Sequence, residues 1–308
     1  MPGDTCCVCQ KPIAGAARML GGRAFCEDHY ARVSRNRRGA WVAMVALVVG
    51  LAAFMAAVFF LAPSLRGSLP RPLLFAASLL LALVPAAVWL VVFYLQDRVE
   101  PEPKQYVGGV FLLAGLLAAA AGQPLIRDVF RINDWASGTL ALRLVAGICI
   151  VGIIQEFLKY AAVRYSIYRS TEFDERIDGI IYGAAAGLGY ATYLNIQYVL
   201  ENGGVELGLA AVRVAVIALA HASFAGVTGY FLGRAKFENR GPFWLPVGLV
   251  LAAVLNGAVT TLLNEITRSG LRPTPINGLI AAAVLAAATF VFLFAMMRRT
   301  LRAYIAAA

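Results

Sequence analysis

The chain has 308 residues, of which 60% are hydrophobic and 14% charged, and its mean hydropathy is +0.74. A soluble domain carries about 45–50% apolar and about 25% charged residues, so this composition excludes an ordinary soluble domain. The net charge of +10 does not point to nucleic acid, and no nucleic-acid partner is expected. The basic residues cluster beside long apolar runs, where the positive-inside rule places them.

The first 34 residues are polar. Cys6 and Cys9 form a C-x2-C pair, and Cys26 and His29 a C-x2-H pair after sixteen intervening residues. Two such knuckles bring three thiolates and one imidazole to the corners of a tetrahedron, which suits zinc. A segment this short cannot hold itself together with a hydrophobic core, so a structural metal would supply its folding energy. A pair of disulfides is disfavoured because the segment is expected to face the reducing cytosol. Cys7 is left spare. With Lys11-Pro12-Ile13, Gly21-Gly22-Arg23 and Phe25-Cys26 between and beside the ligands, the segment resembles half of a LIM domain. That resemblance implies a structural zinc and a protein-binding role, here toward a cytosolic partner. No secretory signal is expected, because a polar head of this length precedes the first apolar run.

A basic linker, 35–40, leads into a membrane domain, 41–303. Its uncharged runs are each near the roughly 20 residues that a helix needs to cross a bilayer. The hydrocarbon offers no water to the backbone, so only helices or closed barrels span it, and continuously apolar runs exclude the alternation of a barrel strand. The fold class is therefore all-α polytopic membrane protein in contact with lipid, plus the small N-terminal zinc finger. About eight transmembrane helices are expected, at 41–62, 73–95, 106–122, 139–165, 178–200, 207–233, 243–263 and 277–297. Arg35, Arg37, Arg98, Lys104, Arg164, Arg169, Arg234 and Lys236 fall at one end of the bundle, and Arg66, Arg127, Arg131 and Arg272 at the other. Counting all such residues, the ratio is about fourteen to six, which places both termini in the cytosol. The paired inverted repeats of a transporter are not found.

Ionisable side chains at membrane depth are expensive, so each is a functional candidate. Glu156 and Lys159 lie one helical turn apart and can pair. His221, Asn195 and Asn256 add polar groups from three further spans. Each also has a plain structural reading, as a packing lock or as an interhelical hydrogen bond. Gly183, Gly187 and Gly189 allow close helix packing. Cys149 reads as a small apolar residue.

In order along the chain these motifs resemble the PrsW family of intramembrane proteases, related in fold to CAAX-processing membrane proteases. Asp97-Arg98-Val99-Glu100-Pro101-Glu102-Pro103 is similar to the family's D-R-x-E-P-E-P. Gln155 to Lys159 falls on E-E-x-x-K. Asp178-Gly179-Ile180-Ile181-Tyr182-Gly183 with Gly187-Leu188-Gly189-Tyr190 falls on D-G-x-x-Y-G…G-x-G-F. His221 with Thr228-Gly229-Tyr230 follows, and Leu255-Asn256-Gly257 falls on L-H-G. The resemblance implies a centre in which Glu156 is the second acid and His221 a metal ligand or oxyanion stabiliser, with Lys159, Asp178 and Asn195 as supporting polar groups. Three positions depart from the pattern. Gln155 replaces a glutamate expected to activate water, and a carboxamide cannot accept that proton. Leu194 replaces the glutamate before Asn195, and Asn256 replaces a histidine. One imidazole and one carboxylate make a poor second metal site, since a catalytic zinc has three protein ligands. The expectation is a catalytically degenerate pseudoprotease that binds a transmembrane client in a prokaryotic inner membrane. The alternative is a divergent metallo- or glutamic-type peptidase acting on membrane-tethered substrates.

Overall fold

A computed structural model describes residues 5–7, 9, 11–13, 15–20, 23–34, 38–61, 70–97, 101–201, 207–268 and 275–306. Gly21, Gly22, Arg35, Arg37, Arg66, Arg98, Val99, Glu100 and Arg272, named above, lie outside the described residues.

The head is built from two short strands and one helix. Strands β1 (Arg18–Leu20) and β2 (Arg23–Phe25) pair antiparallel, with Met19 opposite Ala24. A bridge between Thr5 and Pro12 and a bond from the Cys6 amide to the Lys11 carbonyl (2.9 Å) close the first knuckle. The Cys7 amide donates to the Ala24 carbonyl (2.9 Å) and ties that knuckle to β2. Helix α1 (Glu27–Ser34) starts directly after Cys26, with Glu27 and Asp28 at the positive end of its dipole. Phe25 and Cys6 are buried, a core too small to hold the unit by itself.

The rest is a helical bundle, formed by α2 (Arg38–Leu61), α3 (Arg71–Tyr94), α4 (Lys104–Leu117), α5 (Ile132–Trp135), α6 (Leu140–Ala146), α7 (Ile153–Ser166), α8 (Asp178–Glu201), α9 (Leu207–Phe237), α10 (Trp244–Arg268) and α11 (Pro275–Ala306). Each of the eight expected spans is a helix here, within a few residues at most ends. Two of them carry wide, π-helical turns. The third expected span does not stop at 122. It continues through wide turns at Ala118–Gly122 and Leu125–Val129, on either side of Pro124. Proline lacks the N–H that an α-helix would use and crowds the preceding turn, and a wider turn accommodates both. In the fourth, Gly147–Gly152 is wide and joins α6 to α7.

Among the described residues, seven segments are both long and apolar enough to cross a membrane, which makes this an integral membrane protein. The one expected span not among them, α8, has the length but not the apolarity. Its place in the bundle explains why. Every residue from Asp178 to Thr192 is buried in protein, so lipid does not select its composition. It packs chiefly on α9, then on α4 and α3. The α9 span is 78% buried, against 11% for α2 and 17% for α11, so α8 and α9 form the centre. Val42, Phe60, Val250, Val284 and Val291 are exposed on the outer helices, as side chains facing acyl chains are.

Candidate functional site

Residues from four helices meet inside the bundle. On α7, Gln155, Glu156 and Lys159 share the inward face and are all buried. Lys159 Nζ donates to Glu156 Oε1 at 2.5 Å and to His221 Nδ1 on α9 at 2.7 Å. An ammonium has no acceptor, so His221 presents a lone pair at Nδ1. Asn256 on α10 donates Nδ2 to Gln155 Oε1 (3.0 Å) and to Glu156 Oε1 (2.8 Å). Tyr190 on α8 completes the group. Its ring stacks on His221 at 6.1 Å between centroids and lies 5.3 Å from Lys159 Nζ, within cation–π range.

Small residues make this meeting possible. A Cβ on Gly187 would run into the His221 carbonyl, so α8 and α9 touch backbone to backbone there, three residues before Tyr190. Gly257 lies against the Gly147 carbonyl, and Gly152 against that of Ala253. These two contacts clamp α10 onto the wide turn of Gly147–Gly152 and set Asn256 beside Gln155 and Glu156. Two atoms of the centre, Glu156 Oε2 and Tyr190 OH, are buried with no hydrogen-bond partner among the described residues.

The other expected site residues are placed elsewhere. Asn195 does not join the centre. It donates to the Val214 carbonyl (3.1 Å) and ties α8 to α9. Leu194 beside it is half-buried and offers no donor or acceptor. Asp178 is twelve residues before Tyr190 on α8, about 18 Å away along the helix axis. There it accepts from the Asp174 and Glu175 amides at 2.7 and 2.6 Å. Tyr190 appears in the resemblance motif but not among the expected site residues. Its signal in the sequence is an aromatic residue directly after the packing glycine Gly189.

Asp178 belongs to a second polar group, where the segment before α4 meets the start of α8. Tyr182 OH donates to Glu102 Oε2 at 2.5 Å, and the Glu102 amide donates to Asp97 Oδ2 at 3.1 Å. Tyr94 OH donates to the Glu102 carbonyl (2.9 Å). Burial pushes the Glu102 carboxyl up to about 8, against hydrogen bonds from Asp178 and Tyr182, with the charges of Asp97 and Asp174 adding to the rise. The unfolded value is about 4.3. Between these values the folded chain holds a proton that the unfolded chain has released. This group's contribution to stability is therefore full at low pH, falls as pH rises toward 8, and is flat above that. Melting in detergent across this range is expected to show wild type losing stability relative to Glu102→Gln, with the two curves parallel beyond pH 8. Parallel curves throughout would contradict it.

The donor set of the membrane centre does not suit a catalytic metal. Such a zinc takes three protein ligands and keeps one open position. Here Glu156 and His221 are two, their facing atoms are both occupied by the Lys159 ammonium, and Asn256 turns its NH2, not an acceptor, toward the group. In the head, by contrast, one ligand atom from each of Cys6, Cys9, Cys26 and His29 lies within 4.8 Å of the others. Cys26 Sγ and Cys6 Sγ are 3.0 and 3.6 Å from His29 Nδ1. This group is able to bind a metal.

Comparison with known proteins gives a consistent relationship. The family model described as PrsW family intramembrane metalloprotease matches residues 102–297. Protease PrsW of Geobacillus kaustophilus is 33% identical over 187 residues, covering 60% of this chain and 79% of that protein. Protease PrsW of Halalkalibacterium halodurans is 32% identical over 183 residues (59% and 81%), and that of Bacillus subtilis 30% over 187 residues (60% and 82%). No solved structure matches the chain.

Proposed function

The chain belongs to the PrsW family of intramembrane metalloproteases, and from that premise we propose that it holds a membrane-embedded polypeptide in the family's helical frame without hydrolysing it. The observation that carries this reading is the closed network at the centre. Lys159 neutralises Glu156 and caps His221 Nδ1, while Asn256 spans Gln155 and Glu156. Two positions where the resemblance implies an acid and a histidine carry carboxamides, which neither accept a proton from water nor make a strong metal ligand. The test uses a fluorogenic transmembrane peptide that the Bacillus subtilis relative cleaves. The purified chain is expected to bind it and leave it intact. Cleavage by wild type that is lost in Glu156→Gln would overturn the proposal.

That outcome would support the second reading, a divergent peptidase. One observation favours it: the second carboxylate oxygen of Glu156 is buried and without a partner among the described residues. In that reading Glu156 takes the proton of the attacking water and His221 stabilises the oxyanion.

Residues 1–34 form a finger in which Cys6, Cys9, Cys26 and His29 hold one structural zinc. Tetrahedral Zn–S bonds of about 2.3 Å set ligand atoms roughly 3.8 Å apart, close to the spacing of this cluster. The finger, joined by linker 35–40 to the membrane domain 41–303, recruits a protein on the cytosolic side of a prokaryotic inner membrane, where both termini lie. Elemental analysis of the purified full chain is expected to give one zinc per chain, and none in the Cys6→Ser/Cys26→Ser double variant. Zinc that persists in the double variant and leaves only with His221→Ala would place the metal in the membrane centre instead.

A further inference from the structure

Helix α9 is longer than a bilayer requires. Arg213 and Arg234 are 21 residues apart on it, roughly 30 Å along the axis, which is the thickness of a hydrocarbon core. Gly233 lies against the Arg176 carbonyl. Arg234 is therefore at the end of the bundle where Glu102 and Asp178 meet, and there it pairs with Glu238 at 2.9 Å. Arg213 stands at the opposite boundary, at the level of the lipid phosphates of that leaflet. Tyr198, three residues before the end of α8, stands at the same level, as aromatic residues of a membrane interface do.

Arg213 is half-buried, and its guanidinium carbon lies 3.7 Å from the centre of the Tyr198 ring, within cation–π range. Among the described residues this guanidinium has no ion pair and donates no hydrogen bond. Two other arginines at this end are paired, Arg127 with Glu201 at 2.8 Å and Arg131 with Asp134 at 2.6 Å. A cation within a span calls for a partner. The backbone behind Arg213 is fixed. Asn195 on α8 donates to the Val214 carbonyl at 3.1 Å, and Val214 packs in one buried cluster with Val199 and Leu81. Stacking on Tyr198 covers one face of the guanidinium and leaves its edge, where the N–H donors are. That edge matches two oxygens of one oxyanion through parallel N–H bonds.

We propose that Arg213 and Tyr198 form a site for the phosphate of a phospholipid in that leaflet, held where α8 and α9 meet. The inference does not depend on the binding role proposed above. Phosphate is the oxyanion that surrounds the bundle at this depth, whereas a carboxylate arrives only on a particular polypeptide. The headgroup supplies the counter-charge that the chain itself does not bring to Arg213. The central pair of helices is then fastened at one end by the Glu102 group and at the other by lipid.

The test follows melting of the full chain, purified in detergent and stripped of lipid. Three additions are compared: dioleoyl phosphatidylglycerol, dioleoylglycerol (the same chains without phosphate) and inorganic phosphate. Phosphatidylglycerol is expected to raise the midpoint of wild type by about 5 °C, the effect of a ligand near 100 times its Kd, and the other two to leave it unchanged. Arg213→Gln is expected to lose this rise while melting without lipid within about 3 °C of wild type, since only the ring contact is removed. Arg127→Gln, at an arginine already paired, is expected to keep the rise. Should Arg213→Gln fail to fold, Tyr198→Leu takes its place and is expected to need more phosphatidylglycerol for the same rise. An equal rise with dioleoylglycerol, or a full rise in Arg213→Gln, overturns the site. A rise with inorganic phosphate alone overturns the assignment to lipid. So does a rise with a transmembrane peptide bearing a flanking Asp, lost in Arg213→Gln, where phosphatidylglycerol gives none.

Discussion

Replacing Lys159 by Met is expected to destabilise the bundle by about 3–5 kcal/mol, the usual cost of leaving one member of a buried ion pair alone. Lys159 and Glu156 are 1% and 0% exposed. Without the ammonium, Glu156 keeps a charge in the protein interior with only the Asn256 amide facing it. His221 Nδ1 also loses its donor. Adding Glu156→Gln removes the stranded charge, and the double variant is expected to recover most of the loss, because two neutral groups of similar size no longer need each other. Glu156→Gln alone leaves the ammonium facing His221 and an amide, and falls between. Unfolding in detergent, measured for wild type, both single variants and the double, completes a thermodynamic cycle. A double variant as unstable as the sum of the singles would show that the two side chains are not energetically a pair.

The second large effect is expected at Gly187. A Val there puts a Cβ into the carbonyl carbon and oxygen of His221 and against Cα of Ala222. These are backbone atoms of α9 and have no rotamer to yield. Overpacking of this kind costs typically about 1–3 kcal/mol and occasionally more, and the largest costs belong where backbone must move. The shift also carries His221 away from Lys159, so destabilisation and loss of peptide binding should appear together. Gly109 on α4 is the control. A Cβ there meets nothing within 4 Å, so Gly109→Ala is expected to be neutral or stabilising by up to about 1 kcal/mol through helix propensity. Comparable melting of the two variants would argue against the backbone contact.

Much of this is legible in the sequence alone. Apolar runs of membrane length announce helices because hydrocarbon leaves the backbone no other partner. The Glu156–Lys159 pair was legible because it is local. The grouping of Cys6, Cys9, Cys26 and His29, whose ligand atoms lie within 4.8 Å of one another, was legible because their spacing is that of a site able to bind a metal. What was not legible is where helices cross. His221 and Asn256 join Glu156 while Asn195, equally buried in a span, serves only as a tie between α8 and α9. Glu102 and Tyr182 are 80 residues apart, and nothing in either motif indicates that they meet. Pro124 stands between two of the wide turns, but the third, Gly147–Gly152, holds no such residue, since widening a turn changes hydrogen-bond register and not composition.

The burial of α8 bears on how the chain is made. A helix that carries Asp178, four glycines, Thr192 and Asn195 gains little by partitioning alone from the translocation channel into lipid, where a polar side chain near the middle of a span is costly. The helices it leans on besides α9 are chiefly α4 and α3, then α7, and all precede it on the ribosome. They provide a docking berth as α8 emerges. Helix α9 follows after a short connection and closes the opposite side. Insertion of α8 is in this sense an assembly step. A chain shortened to begin after α4 would synthesise the same α8 sequence with no berth prepared, and the quality-control proteases of the membrane would meet it as an exposed polar helix.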